Sequence, residues 1–237
     1  MARLARVIAA GIPHHVTQRG NRRMATFFRE QDYRDYLRLM AQWCRTCGIE
    51  IWAYCLMPNH VHLIAVPDSE KLLRRGRGEA HRRYSRMINF REGWRGHLWQ
   101  GRFSSFPMDE IYLLAGVRYI EMNPLRAGLV PDAEAWSWSS VRAHLAGEDD
   151  ELVRVKPLLE IVGNWKDFLG RTSKEEDVKK IRKHERTGRP LGGDNFIKRL
   201  ESSLGRCLRP QKTGPKVKQL SMVSPEYQHL TIPFGLI

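Results

Sequence analysis

Cysteine is scarce in this chain, four in 237 residues, which rules out a disulfide scaffold at this length. Cys44-Arg45-Thr46-Cys47 resembles half a zinc knuckle, but no second C-x-x-C exists, and the spacing inside an amphipathic stretch suits ordinary helix packing. Long apolar runs are also missing. No segment reaches the ~20 residues needed to span a bilayer, and the N-terminus has no signal-peptide apolar region. The expectation is a soluble, cytoplasmic protein with no membrane partner. Negative charge is the third shortage. Twenty-six Asp and Glu face 40 Lys and Arg, a formal net charge of +14 and a pI near 10.0. Such a balance favours attraction to phosphate polyanions but carries no sequence preference.

The positive charge is clustered. Lys71, Arg74, Arg75, Arg77, Arg82, Arg83 and Arg86 fall in one predicted helix against Glu70 and Glu79. These groups repel one another unless a polyanion lies nearby, although a solvated face has a similar composition. Arg19, Arg22 and Arg23 surround Gly20 and Asn21, where glycine lets a backbone approach phosphate; an ordinary polar turn reads the same way. Gln100 and Arg102 sit with Trp99 and Phe103, combining hydrogen bonding to base edges with stacking surfaces, unless the two aromatics belong to the core. From Arg171 to Lys218 there are fifteen Lys and Arg against six Asp and Glu, Arg189 among them in a Gly-Arg-Pro-Leu-Gly turn. That region is a candidate accessory nucleic-acid contact.

Chemistry concentrates in Leu56-Met57-Pro58-Asn59-His60-Val61-His62-Leu63-Ile64-Ala65-Val66. Side chains alternate along a strand, so His60 and His62 point to one face. Two imidazoles on a stiff strand supply half a divalent-metal shell, and the preceding Pro-Asn turn leaves one edge open. A single H-x-H also arises by chance, with each histidine simply hydrogen-bonded in the core. A second segment, Tyr112 to Pro124, reads as a helix stopped by Asn-Pro. On it Tyr119 and Asn123 are i and i+4, so a phenol and an amide share a face. Tyr112, Tyr54 and Tyr84 compete for the part of a reactive tyrosine, and core packing is the plain reading of each.

Taken in order, Pro13-His14-His15-Val16-Thr17-Gln18-Arg19-Gly20-Asn21-Arg22, then M-P-N-H-V-H, then Trp99-Gln100-Gly101-Arg102-Phe103, then Y-I-E-M-N-P-L-R-A-G-L-V resemble the REP-associated tyrosine transposases. These belong to the single-tyrosine HUH superfamily, and the resemblance covers about the first 145 residues. It implies that His60 and His62 hold a divalent metal, that Tyr119 is the nucleophile, and that Asn123 completes the metal shell, where it can equally cap the helix end. The implied cofactor is Mg²⁺ or Mn²⁺, although two imidazoles also suit Zn²⁺ or Ni²⁺. The implied activity is cleavage and strand transfer of single-stranded DNA beside hairpins of repeated extragenic palindromes, through a 5′-phosphotyrosine intermediate. The candidate DNA contacts, drawn from the basic clusters above as well as from the resemblance, are Arg19, Asn21, Arg22, Arg23, Arg74, Arg75, Arg82, Arg83, Arg86, Gln100, Arg102 and Arg189. The partner is hairpin-bearing DNA at the nucleoid, bound by a monomer or homodimer. A noncatalytic DNA-binding protein and an ordinary hydrolytic nuclease are the alternatives.

The coarse layout is a strand over Ile12 to Arg19, a helix over Glu30 to Cys47, a hairpin of Glu50 to Leu56 and His60 to Val66, a basic helix over Leu72 to Asn89, a strand near Leu98 to Met108 and the tyrosine helix. This order fits an α+β sandwich with helices on one face of the sheet, and the resemblance implies a ferredoxin-like fold. A composition shift near Gly147 to Glu151 divides residues 1–147, the catalytic domain, from 148–237, a basic helical C-terminal extension. In the extension, Val155 to Leu169 is expected to pack back through Trp165 and Phe168. A helix at 173–185 and another from Asp194 to Leu204 suggest either a helix-turn-helix-like unit or a flexible basic tail. Residues 209–216 read as a linker, and the apolar end 230–237 as a docking segment.

Overall fold

Apolar residues occupy both sides of the strands that carry the H-x-H motif, so neither face of their sheet can be left to water. The protein is described by a computed structural model over residues 6–172 and 174–210. Its first half runs β1 (His14–Arg19), α1 (Glu30–Thr46), β2 (Ile49–Met57), β3 (His60–Pro67), α2 (Glu70–Glu92), β4 (Ser104–Pro107) and α3 (Glu110–Glu121). The four strands form one sheet in the order β2-β3-β1-β4, every pair antiparallel. Shorter helices follow: α4 (Asn123–Arg126), α5 (Val141–Ala146), α6 (Lys156–Val162) and α7 (Trp165–Gly170), then α8 (Glu175–Thr187) and α9 (Asp194–Leu204).

The strand-helix order predicts helices on one face; the structure covers both. Val16, Leu56, Val61 and Leu63 pack with α1 and α2, through residues such as Tyr36, Met40 and Tyr84. Cys55, Met57, Ile64 and Phe106 pack with α3 and, beyond it, with Trp165, Phe168 and Ile181. The reason lies in β2 and β3, which are buried at consecutive positions over most of their length. A bulge in β2 adjusts the alternation: Ile51 pairs with Ala65 but Ala53 with Ile64, leaving Trp52 extra. One added residue exchanges the faces, so Ala53, Cys55 and Met57 turn toward α3 and Tyr54 and Leu56 toward α1.

Several boundaries move for visible reasons. β4 is four residues long, not eleven, because the preceding stretch folds over the end of β1. There Asn21 N–H donates to Leu98 C=O and Gln100 N–H to Arg19 C=O, and Gly101 takes a left-handed φ of 55°. The tyrosine helix ends before Asn-Pro as expected, but the chain restarts at once as α4, with proline in its first turn.

Residues beyond 147 join both cores. Val153 bridges to Ile51, Leu152 and Val155 belong with α1 and α2, and Trp165 and Phe168 are buried against α3. α8 packs on α3 and β4. Phe196 and Leu200 of α9 cluster with Val7, Ala9 and Leu208. The linker from position 211 onward and the apolar end 230–237 lie outside the described residues. Among the described residues no helix is long and apolar enough to cross a membrane.

Candidate functional site

Register places the histidines. Thr17 of β1 lies opposite His62, Arg19 opposite His60 and His15 opposite Ile64, so His15, His60 and His62 share the face covered by α3. The His60 and His62 rings lie 4.9 Å apart, and His15 Nε2 is hydrogen-bonded to His62 Nδ1 at 3.0 Å. His14, next in sequence, has an ordinary structural role: one ring nitrogen accepts from Ala9 N–H at 3.1 Å and the other lies 2.6 Å from Ile12 C=O. His15 Nδ1, by contrast, is buried without a partner among the described residues. Burial lowers His15 to about 3. Burial and the neighbouring Arg19 lower His60 to about 3 as well, and burial with its charged neighbours holds His62 well below its ordinary value. All three are neutral imidazoles with lone pairs to offer.

α3 brings Tyr119 to the same place. Its ring lies 5.8 Å from that of His62 and 6.1 Å from that of His15, and the residue is 6% exposed. Burial raises its phenol above the ordinary value and Glu185 adds to this, while a hydrogen bond from Arg182 and the charge of Arg126 oppose the rise. The Arg126 guanidinium stands over the ring at 4.2 Å. The Asn123 amide oxygen accepts from Arg126 at 3.3 Å, and its amide nitrogen is buried without a partner among the described residues. The competing tyrosines are engaged elsewhere: Tyr54 donates to Asp150, Tyr84 to the Thr26 carbonyl, and the Tyr112 hydroxyl accepts from Lys180. Glu121 fixes the end of α3. Its carboxylate accepts from Ser140 at 2.6 Å, His144 at 2.7 Å and Trp165 at 2.9 Å, which ties the helix to the segments after it.

Sequence reasoning missed Glu185. It projects from α8, and its Oε1 lies 3.7 Å from both His15 Nε2 and His62 Nδ1. With both imidazoles neutral these contacts are not ion pairs, and Oε1 is buried without a hydrogen-bond partner among the described residues. Burial raises its carboxyl to about 7 against the pull of Arg19, Arg182 and Arg126. His15, His62 and Glu185 offer ligand atoms within 4.8 Å of one another. Nothing near position 185 marks it in sequence, because it is one of four acids in a helix of mixed charge far along the chain; His15 sits within the quoted His-His segment, but its partner on β3 is a matter of register.

A cavity of about 440 Å³ opens beside these groups, with Arg19, His60, Gln100, Arg102, Glu185 and Arg186 in its wall. Of the expected DNA contacts, Arg19, Gln100 and Arg102 therefore surround the histidines. Asn21, Arg22 and Arg23 form an exposed 3-10 turn at the end of β1; Arg22 and Arg23 hold left-handed φ of 52° and 61°. Arg74 and Arg82 face a second cavity on the far side of the sheet. Arg83 and Arg86 lie with Phe90 on exposed α2, and Arg75 is exposed. Arg189 donates to the Leu208 carbonyl, a contact that ties down the chain after α9. Trp99 and Phe103 are buried in the core, 8% and 4% exposed.

Residues 10–123 match the family described as transposase IS200 like. The fold is similar to that of a REP-associated tyrosine transposase bound to a REP hairpin, with 21% identity and a TM-score of 0.54 over 65% of this chain and 93% of that one. A crystal structure of a Deinococcus radiodurans R1 protein aligns at 21% identity and a TM-score of 0.35, over 51% of this chain and 96% of that one. No curated protein matches the chain.

Proposed function

We propose that the protein is a metal-dependent, single-tyrosine transposase of the IS200-like kind, which nicks single-stranded DNA and transfers the strand through Tyr119. The observation that carries the reading is the convergence of a tyrosine on α3, neutral histidines on β1 and β3, and a half-buried carboxylate whose Oε1 has no hydrogen-bond partner among the described residues. The β-α-β-β-α-β order with sheet order β2-β3-β1-β4 supports a ferredoxin-like core, and the match over residues 10–123 supports the family.

The residues fit a divalent cation. Two ligands placed cis at ~2.1 Å from an ion stand about 3.0 Å apart, the spacing between His15 Nε2 and His62 Nδ1, and Glu185 Oε1 beside them has no hydrogen-bond partner among the described residues. His62 and Glu185, with His15 or His60, would hold the ion, and Asn123 lies one turn beyond Tyr119. A mixed imidazole and carboxylate set accommodates Mn²⁺ readily and Mg²⁺ when phosphate oxygens complete the shell. When bound, the ion supplies polarisation of the scissile phosphate.

The Tyr119 oxygen attacks phosphorus, the bond from phosphorus to the 3′ oxygen breaks, and the chain is left holding a 5′-phosphotyrosine beside a free 3′-OH. Attack by a DNA hydroxyl reverses the step and rejoins the strand, the phenol leaving more readily than an alkoxide would. Arg182 and Arg126 favour the phenolate at both stages. Arg19, Arg102 and Arg186 in the cavity wall orient the phosphates on either side. The substrate in this reading is a hairpin of the repeated-palindrome type with an unpaired flank, by analogy with the relative bound to a REP hairpin.

The test uses 5′- and 3′-labelled oligonucleotides carrying the palindromes beside the protein's own gene, with Mn²⁺ or Mg²⁺, resolved on a denaturing gel. The reading expects a protein adduct on the downstream fragment that is absent with Tyr119→Phe. Cleavage without an adduct that survives Tyr119→Phe favours a hydrolytic nuclease, and tight binding without cleavage favours a noncatalytic binder.

A further inference from the structure

On the opposite face of the sheet, between α2 and the loop before β4, lies a cavity of about 490 Å³, within the size range of small-ligand sites. Arg74, Arg77, Gly78 and Arg82 of α2 line it together with His97 and Arg102, and no carboxylate does. Arg77 is only 6% exposed. Its Nη2 donates to Gln18 Oε1 at 2.5 Å and to His81 Nδ1 at 3.1 Å, and its guanidinium stands 4.0 Å from the centre of the Phe103 ring. Gln18 is itself fixed by donating to the carbonyls of Gln100 and Gly101, both at 3.2 Å. His81 is fixed by a 2.8 Å hydrogen bond between its other ring nitrogen and the Tyr36 hydroxyl. Since Nδ1 accepts from Arg77, Nε2 carries the proton and donates to Tyr36.

A guanidinium is thus locked in position by neutral groups, with its Nε unpartnered and no counter-charge in contact among the described residues. Arg91 in the same helix shows the usual solution, paired with Asp32 and Glu92. A buried cation without an anion is costly and is not retained for stability. The glycines flanking Arg77 point the same way. A Cβ at Gly76 would meet Ile49 Cδ1 at 2.7 Å and Trp43 O at 3.0 Å, so glycine there serves helix packing. A Cβ at Gly78 would meet nothing within 4 Å, yet this residue weakens the helix where it lines the cavity. Finally, Gln18, Gly101 and Arg102 line both this cavity and the one beside the histidines.

We propose that this cavity is a second nucleic-acid subsite, which receives one unpaired nucleotide of the bound strand with its phosphate against Arg77. The strand passes from the tyrosine side around the Gly101 loop, over residues common to both cavities. The phosphate supplies the charge Arg77 lacks, and Gly78 leaves room for the nucleotide. This inference rests on the single-strand reading given above.

Two labelled probes separate the ideas: a hairpin flanked on both sides by thymidine tracts, and the same hairpin with blunt ends. Binding is followed by fluorescence anisotropy across a salt series. Arg77→Met is expected to weaken binding of the flanked hairpin about tenfold, as loss of one charge-assisted contact does, and to reduce the magnitude of its log-log salt slope by about 0.7. Gly78→Leu fills the cavity and is expected to produce a similar loss while raising Tm. Neither variant changes binding of the blunt hairpin. Wild-type affinity for the flanked probe in both variants, or an equal loss on both probes, overturns the subsite while leaving the single-strand reading intact. Failure of the wild-type protein to bind the flanked probe more tightly than the blunt one overturns both.

Discussion

The two faces of the sheet carry opposite deficits. Toward α3 and α8 lie neutral imidazoles, a tyrosine, and a carboxylate oxygen with no hydrogen-bond partner among the described residues, lone pairs that a cation could use. Toward α1 and α2 lie Arg77, Gln18, His81 and Tyr36, hydrogen-bonded to one another around a guanidinium that lacks an anion. The two meet at Gln18, whose neighbours Thr17 and Arg19 belong to the first face while its own side chain reaches the second. In the proposed reading, a strand of nucleic acid bound together with a metal ion would supply the charge that each face lacks. Unpartnered polar groups, more than cavity size, mark these two candidate surfaces out from the packing around them.

The sharpest way to break the comparison is to remove chemistry from one face alone. Tyr119→Phe or His62→Ala is expected to reduce formation of the DNA adduct by about 10³-fold or more, since residues acting as a unit fail together. Arg77→Met, on the other face, is expected to leave turnover at saturating DNA close to wild type. Single-turnover cleavage assays on the labelled palindromes read both, and equal losses would mean that the faces do not have separate tasks.

Much of the first face was legible in sequence because strand alternation is local: His60 and His62 share a side wherever the strand lies, and Tyr119 stands in a helix whose end Asn-Pro marks. The contribution of His15 was hidden because it depends on β1 pairing with β3 in one particular register. Glu185 was hidden for a stronger reason. It comes from α8, sixty-six residues after Tyr119, and only tertiary packing brings it to the histidines. On the second face the basic character of α2 was plain, but a count of arginines cannot separate exposed Arg75 from buried Arg77. That distinction comes from the helix's rotation against the sheet. The covering of both faces was readable in principle from the consecutive apolar positions of β2 and β3, which an alternating reading of the strands overlooked.

Arg91 and Arg77, both on α2, differ in having and lacking a carboxylate partner among the described residues. Burial by itself would raise the Asp32 carboxyl, but hydrogen bonds from Arg91 and from the Phe28 and Arg29 N–H groups hold it below its ordinary value. Asp32→Asn is therefore expected to cost about 3 kcal/mol, the penalty for leaving one partner of a buried pair, whereas Arg77→Met changes stability by less than about 1 kcal/mol. The pair also gives a direction in pH. A carboxyl depressed in the folded state contributes stability that is complete above the unfolded value of about 3.9 and is lost as pH falls through the folded one. Urea unfolding at neutral pH and near pH 3 should show the difference between wild type and Asp32→Asn shrinking in acid; a constant difference would mean that Asp32 acts through its shape alone.

Glu185→Gln is smaller in effect and tests the cation deficit itself. Replacing the only carboxylate of the cluster removes the negative charge while keeping the shape, and Mn²⁺ affinity is expected to fall about tenfold or more. Titration calorimetry of the metal-free protein without DNA measures this directly, and Arg77→Met is the control that should bind the ion as wild type does. Unchanged affinity in Glu185→Gln would assign the ion to His60, His62 and Asn123 and leave Glu185 as a group the ion does not need.

The smallest effects are the most discriminating, because Gly76 and Gly78 lie two residues apart in one helix and should respond with opposite signs. Alanine is the better helix former by about 1 kcal/mol, and that gain is available at position 78, where a methyl meets nothing within 4 Å. At position 76 the same methyl meets the Trp43 carbonyl oxygen at 3.0 Å and Cys47 Cβ at 3.1 Å. These atoms belong to the tightly packed end of α1, so Gly76→Ala is expected to destabilise by about 1–3 kcal/mol through overpacking. Thermal unfolding of the two variants gives the signs. A rise in Tm for Gly78→Ala shows that the native glycine is unfavourable for the fold alone, so its presence must be accounted for by something outside the fold, which is the space it leaves open above Arg77. A fall in Tm at both positions would return Gly78 to ordinary helix packing and remove one of the two supports for a binding site on that face.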